Sequence, residues 1–197
     1  DSQNAIYAVR SLGIDPSNGR ELFLKKNGEV TYTWDANDRV FCGVDQPDYR
    51  GNINTMFMWK DLSVNLSFGY EWGGQQYNST LISRVENADK KYNVDRRVYE
   101  DRWKEPGDRT FFKGINETTA TQATSRFVQD EATFTCQNLN VTYDLKGNKW
   151  LKRNLGIQTL TLKGDIADLF RISTIKQERG TSYPFSRQFS FTLSAMF

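Results

Sequence analysis

Ser186-Arg-Gln-Phe-Ser-Phe-Thr-Leu-Ser-Ala-Met-Phe197 closes the chain, and its reading decides the fold. In an extended strand successive side chains alternate faces. Phe189, Phe191, Leu193, Ala195 and Phe197 therefore share one side, and Gln188, Ser190, Thr192 and Ser194 the other. Twelve residues at roughly 3.3 Å each, tilted about 40°, rise close to 30 Å, enough to cross an apolar band about 25 Å tall. A soluble sandwich can also end on such a strand, so recurrence upstream matters.

The pattern recurs four times. Leu62 to Trp72 sets Leu62, Val64, Leu66, Phe68, Tyr70 and Trp72 against Ser63, Asn65, Ser67, Gly69 and Glu71. Tyr49 to Trp59 alternates before it, and the intervening Lys60-Asp61 suits a tight hairpin. Ala132 to Leu145 reads as a strand whose phase slips near Gln137-Asn138, which predicts a bulge. Ile157 to Asp168 is the fifth strand of spanning length. The connections are unequal: two residues at Lys60-Asp61, a long loop over 73–131, a short turn around Gly147 to Trp150, and a longer stretch over 170–185. Alternating long and short connections predict an all-β, antiparallel transmembrane β-barrel with long extracellular loops. In that frame Phe197 lies on the periplasmic side.

Ahead of this region, Ala5 to Leu12, Glu21 to Lys25 and Glu29 to Trp34 read as short strands, the first two joined by a turn at Asp15-Pro-Ser-Asn-Gly19. Within the long loop, Ser79 to Asp89 and Asp95 to Trp103 carry some helical spacing.

Composition removes several alternatives. The chain has 26 basic and 24 acidic residues, a net +2, without a basic stripe for nucleic acid. Mean hydropathy is −0.67 and no run of eighteen apolar residues occurs, which excludes helical spans and leaves strand spans open. There is no histidine, so Ser-His-Asp, Cys-His and HExxH chemistries cannot be built. A two-carboxylate glycosidase needs none, yet Glu100-Asp101 and Asp130-Glu131 are adjacent pairs that read as solvated surface. Asp35-Ala-Asn37-Asp38 lacks the glycine and terminal glutamate of a calcium loop, and Gly73-Gly74 reads as backbone freedom after a strand. Cys42 and Cys136 read as unpaired. No enzyme activity, metal or cofactor is expected. Tyr77, Tyr99 and Trp103 in the long loop are the candidate substrate contacts, with packing of the loop as the competing role.

Several runs together resemble the carboxy-terminal part of SusC/RagA-type TonB-dependent transporters. They are Val9-Arg-Ser-Leu-Gly-Ile-Asp-Pro16, Trp72-Gly-Gly-Gln-Gln-Tyr-Asn78, Val85-Glu-Asn-Ala-Asp89 and Tyr92-Asn-Val-Asp-Arg-Arg97. Arg102-Trp-Lys-Glu-Pro-Gly-Asp108, Ser125-Arg-Phe-Val-Gln-Asp130 and Gln177-Glu-Arg-Gly-Thr-Ser-Tyr-Pro-Phe-Ser-Arg187 complete the set, in order along residues 1–197. The resemblance implies the closing strands of a 22-stranded outer-membrane barrel whose plug domain and TonB-contacting segment lie outside this sequence. It implies import of oligosaccharides or peptides with a SusD-type surface lipoprotein, driven through TonB. The terminal strand, with Phe189, Phe191 and Phe197, would be the signal read by the barrel-assembly machinery. A soluble β-sandwich that binds carbohydrate is the alternative reading.

Overall fold

Lys60 takes φ 54 at a two-residue turn, and Trp59 pairs directly with Leu62 across it. The computed structural model describes residues 3–89, 91–176 and 187–197. Among the described residues, nine strands form two antiparallel sheets: β1 (Ala5–Ile14), β2 (Glu21–Leu24), β3 (Val30–Thr31), β4 (Arg39–Val44), β5 (Tyr49–Trp59), β6 (Leu62–Tyr77), β7 (Val128–Lys146), β8 (Thr159–Ser173) and β9 (Gln188–Met196). One sheet has the order β3-β2-β1-β4 and the other β5-β6-β7-β8-β9. The chain divides into two compact units, one holding the residues up to Pro47 with Gly73–Glu131, the other Asp48–Trp72, Ala132–Thr174 and the final strand.

The five-stranded sheet contains all five strands of spanning length. Its two faces differ in chemistry from edge to edge. Tyr49, Ile53, Phe57 and Trp59 pair with Trp72, Phe68, Val64 and Leu62 on one face. On the same face Phe189, Phe191 and Leu193 of β9 sit opposite Ile166, Gly164 and Leu162 of β8. These side chains are open: Ile53 is 52% exposed, Phe57 60% and Phe191 74%. In the middle of the face the rings touch one another, Phe68 stacking on Phe134 at 5.5 Å and Phe134 meeting Phe170 at 6.1 Å, while Phe134 stays 38% exposed.

The opposite face carries a ladder of polar pairs, interrupted on β5 by the exposed Met56 and Met58. Arg50 meets Glu71 at 2.7 Å, and the Ser67 hydroxyl donates to Asn54 Oδ1 at 2.7 Å. Asn65 Nδ2 donates to Asn140, and Asn140 Nδ2 in turn to Asp165 at 2.5 Å. Thr161 donates to Asp144 at 2.7 Å. Among the described residues the sheet is open, with β5 and β9 at its edges.

The phase slip expected at Gln137-Asn138 is present. Pairing of β7 with β8 shifts between Cys136 and Asn138, and Asp168 on the facing strand takes φ 51. Before the slip Gln137 reaches Ser67, whereas beyond it Asn140 meets Asn65, so the polar face passes from odd to even residues of β7. Every apolar residue after the slip thereby stays on the Phe68 side.

Several expectations change. The expected strand Glu29–Trp34 is only Val30–Thr31, and β4 was not foreseen. The connection around Gly147 to Trp150 is a seven-residue helix rather than a plain turn. Gly73-Gly74 lies inside β6, not after it: Gly73 has φ 92, and a Cβ on Gly74 would stand 3.0 Å from the Gln46 backbone. The final strand begins at Gln188, while Ser186 and most of the 170–185 stretch fall outside the described residues.

The other unit wraps its sheet with the long connection between β6 and β7. Its helices are short: α1 (Ser79–Leu81), which continues as a π-helix over Ile82–Glu86, and α2 (Arg97–Glu100). Their apolar residues Leu81, Val85 and Val98 close with Phe112 and Phe127 into the core of this unit.

Candidate functional site

Arg126 organises the long loop. Its guanidinium gives Nε to Glu21 at 3.0 Å and Nη2 to Glu21 at 2.7 Å and Glu86 at 2.8 Å. All three side chains are buried, at 4%, 7% and 0% exposure. The ring of Phe127 lies 4.5 Å from its Cζ. Burial by itself lowers the Arg126 pKa, but hydrogen bonds and charges from the two carboxylates more than offset it, and the net shift is upward. A second buried arginine, Arg102, donates to the carbonyls of Val85 at 2.7 Å, Glu86 and Lys113, with desolvation pulling its pKa down. Asn78 ties β6 to this core: its Oδ1 accepts from Leu81 N at 2.9 Å and its Nδ2 donates to Gln129 at 3.0 Å.

Beside this hub lies a cavity of about 510 Å³, open on one side. Phe23, Glu21 and Lys113 line it, with Tyr32 and Trp34 and the stretch Thr119–Gln122. Trp34 Nε1 donates to the Ala123 carbonyl at 3.0 Å, fixing the indole. Guanidiniums already cover one side of each ring, Arg20 at 4.9 Å from Tyr32 and Arg39 at 5.3 Å from Trp34. Lys113 is buried, so desolvation lowers its pKa; its ammonium donates to the Thr119 carbonyl. Glu117, across from Arg20 at 3.7 Å, is held below the usual carboxylate range by the Thr119 side chain and backbone. The chemistry offered is amphipathic: aromatic edges, paired charges and backbone carbonyls, a lining able to hold a polar ligand.

Of the three aromatic candidates, two are occupied by packing. Tyr77 lies against the core cluster of Leu81, Val85 and Phe127. Trp103 donates its Nε1 to Pro16 O at 2.9 Å, and its ring covers Gly19, where φ is 71 and a Cβ would approach to 2.4 Å. Tyr99 alone stands out, 69% exposed, with the Lys104 ammonium 4.4 Å over its ring. Phe189 and Phe191 lie on the open apolar face of β9, and Phe197 follows the strand. Glu100 is engaged by Arg96 at 2.5 Å, and Asp130 accepts from Gln75. Asp35 caps a short 3₁₀ turn through Asn37 N, and among the described residues no cluster of acidic or cysteine side chains has metal-binding geometry. Both cysteines are free thiols.

Tyr32, Trp34 and Lys113 were missed in the sequence. Tyr32 and Trp34 are neighbours in sequence, but Lys113 lies far along the chain from them, and only the tertiary fold brings it alongside. The quoted motifs converge instead on the buried hub: Asn78, Glu86, Arg102 and Arg126 each come from a different one.

No protein-family model matches the chain, and no curated protein sequence does. Among solved structures it is similar to the RagAB peptide importer in its open-open state, with TM-score 0.67 and 19% identity over 87% of this chain. The RagAB peptide transporter gives 0.66 and 18% over 87%, and the closed-closed state of the importer 0.64 and 19% over 84%. In each case the chain spans 19% of the length of the solved chain it matches. What these likenesses establish is a shared fold, that of part of a RagAB chain.

Proposed function

We propose that the chain supplies wall and outer loops to a SusC-type TonB-dependent transporter of the outer membrane, importing oligosaccharides or peptides with a SusD-type lipoprotein. The observation that carries this reading is the five-stranded sheet, whose apolar face is exposed while its polar face is cross-linked by hydrogen bonds. Lipid is the solvent in which that arrangement is stable, because the apolar side chains need no partner layer there and the polar ones line an aqueous lumen. A soluble sandwich would turn the same face into a core. The two open edges, β5 and β9, carry unpaired backbone groups that a bilayer does not tolerate. Strands from outside this chain pair with both and complete the barrel, and the plug and TonB contact also lie outside it.

In this role the chain does no covalent chemistry. Polar residues such as Asn65, Ser67, Thr161 and Ser190 face the lumen, and the long connection between β6 and β7 faces outward. There the cavity beside Tyr32 and Trp34, together with exposed Tyr99, is the surface offered to substrate or lid. The final strand, through Phe189, Phe191 and Phe197, is the segment offered to the assembly machinery.

The test is fractionation. Expressed in its native cell, the protein is expected in the outer membrane and resistant to carbonate washing. Recovery as a stable soluble monomer overturns the reading.

A further inference from the structure

The helix α3 (Lys149–Leu155) at the β7–β8 connection has no part in the transport role described above. At 100° per residue, Lys149, Lys152 and Arg153 fall within one arc, and Trp150, Leu151 and Leu155 on the opposite side. Leu151 is buried, while Trp150 stays 63% exposed and Leu155 52%. The stretch from Leu145 to Gln158 holds four basic residues and no acidic one. Lys149, Lys152 and Arg153 are exposed, and none forms an ion pair among the described residues.

The same end of the sheet gathers more of this chemistry. The Asp61 carbonyl accepts from Asp144 N at 2.8 Å, which places the Lys60 turn beside the end of β7. There the Lys60 ammonium stands 5.0 Å over the exposed Trp59 ring. Gln158 N donates to Met196 O at 2.7 Å, bringing Met196 and Phe197, both exposed, to the same rim.

We propose that this rim is an anchor for anionic phospholipid headgroups, with α3 lying in the interface as its principal element. An amphipathic helix with cations on one side and Trp and Leu on the other fits a boundary where hydrocarbon meets negative charge. Lys146 is already held by Asp144 at 3.3 Å, and the three unpaired cations of the helix match a surface of phosphodiester monoanions. Tryptophan beside lysine is also the pairing that holds membrane proteins at headgroup depth. The inference rests on reading the sheet as membrane wall, and it assigns the α3 end to the phospholipid leaflet.

The test uses the protein purified in neutral detergent and titrated with phosphatidylglycerol or phosphatidylcholine carrying brominated acyl chains, which quench nearby tryptophan. Phosphatidylglycerol is expected to quench at lower concentration than phosphatidylcholine, and Trp150→Phe to remove part of the quenched signal. At about fivefold per cation, the Lys149→Gln, Lys152→Gln, Arg153→Gln triple variant loses roughly 100-fold in half-quenching concentration for phosphatidylglycerol and nothing for phosphatidylcholine. Raising salt on the unmodified protein narrows the same difference without any substitution. Equal quenching by the two lipids, insensitive to salt and to the triple variant, overturns the anchor, as does equal competition by lipid A. If neither lipid quenches any tryptophan, including Trp59 and Trp72 of the apolar face, the membrane reading itself fails.

Discussion

In the five-stranded sheet Phe57, Phe189 and Phe191 lie in the open while Asn140 and Asp165 are held in a polar ladder; around Arg126 the reverse holds, with Glu21 and Glu86 buried against its guanidinium. The contrast teaches that burial has no single meaning along this chain. Beside the sheet's apolar face no partner layer is needed if the medium is hydrocarbon. Within the other unit, charges removed from the surface must be neutralised by each other.

The sharpest way to break this comparison is Arg126→Ala, which leaves two buried carboxylates without the guanidinium that neutralises them. A loss of about 3–5 kcal/mol is expected, read as the shift in chemical denaturation. Adding Glu21→Gln and Glu86→Gln to Arg126→Met should recover much of it; no recovery would mean that Arg126 acts through packing alone. Next comes Phe191→Arg, expected to cost roughly 2–4 kcal/mol if the residue lies near the bilayer midplane. Thr192→Arg, one residue along on the polar face, should cost little. Equal outer-membrane levels for the two variants would erase the distinction between faces.

Gly19→Ala comes third, at about 2 kcal/mol, because φ 71 disfavours a side chain and the Trp103 ring fills the space. Thermal unfolding followed by Trp103 fluorescence checks it. The smallest effect is at Asp15, whose pKa is lowered first by the Tyr32 hydroxyl, then by Ser17 and Asn18. A depressed carboxylate stabilises above its unfolded value and loses that contribution as pH falls through the folded one. Below about pH 4 the Asp15 turn should therefore loosen, and Asp15→Asn should flatten that acid limb in a fluorescence titration.

The five long strands were legible because one face must be apolar over its whole length, and period two survives every loop between them. Even the slip in β7 was visible, since Phe134 and Cys136 keep one parity and Leu139, Val141 and Tyr143 the other. The strand β4 was not, because Arg39–Val44 is short and its register with Ala5–Val9 depends on a distant partner. For α3 the signals were present but short: Asn148 accepts from Trp150 N and Leu151 N as an N-cap, and Gly156 ends the helix. The hub around Arg126 could not be read. Nothing in local pattern says that Glu21, Glu86 and Arg126 share one site, and the aromatic candidates Tyr77 and Trp103 look alike in sequence whether they pack or bind.

The change of parity in β7 bears on how the wall is assembled. A strand with uniform alternation can slide by two residues against its neighbour and still match polar with polar. In β7 such a slide would carry the switch point away from Asp168 and turn the intervening residues to the wrong medium. The strand is keyed, like a shaft that seats at one depth, and it sets the stagger that β8 and then β9 inherit.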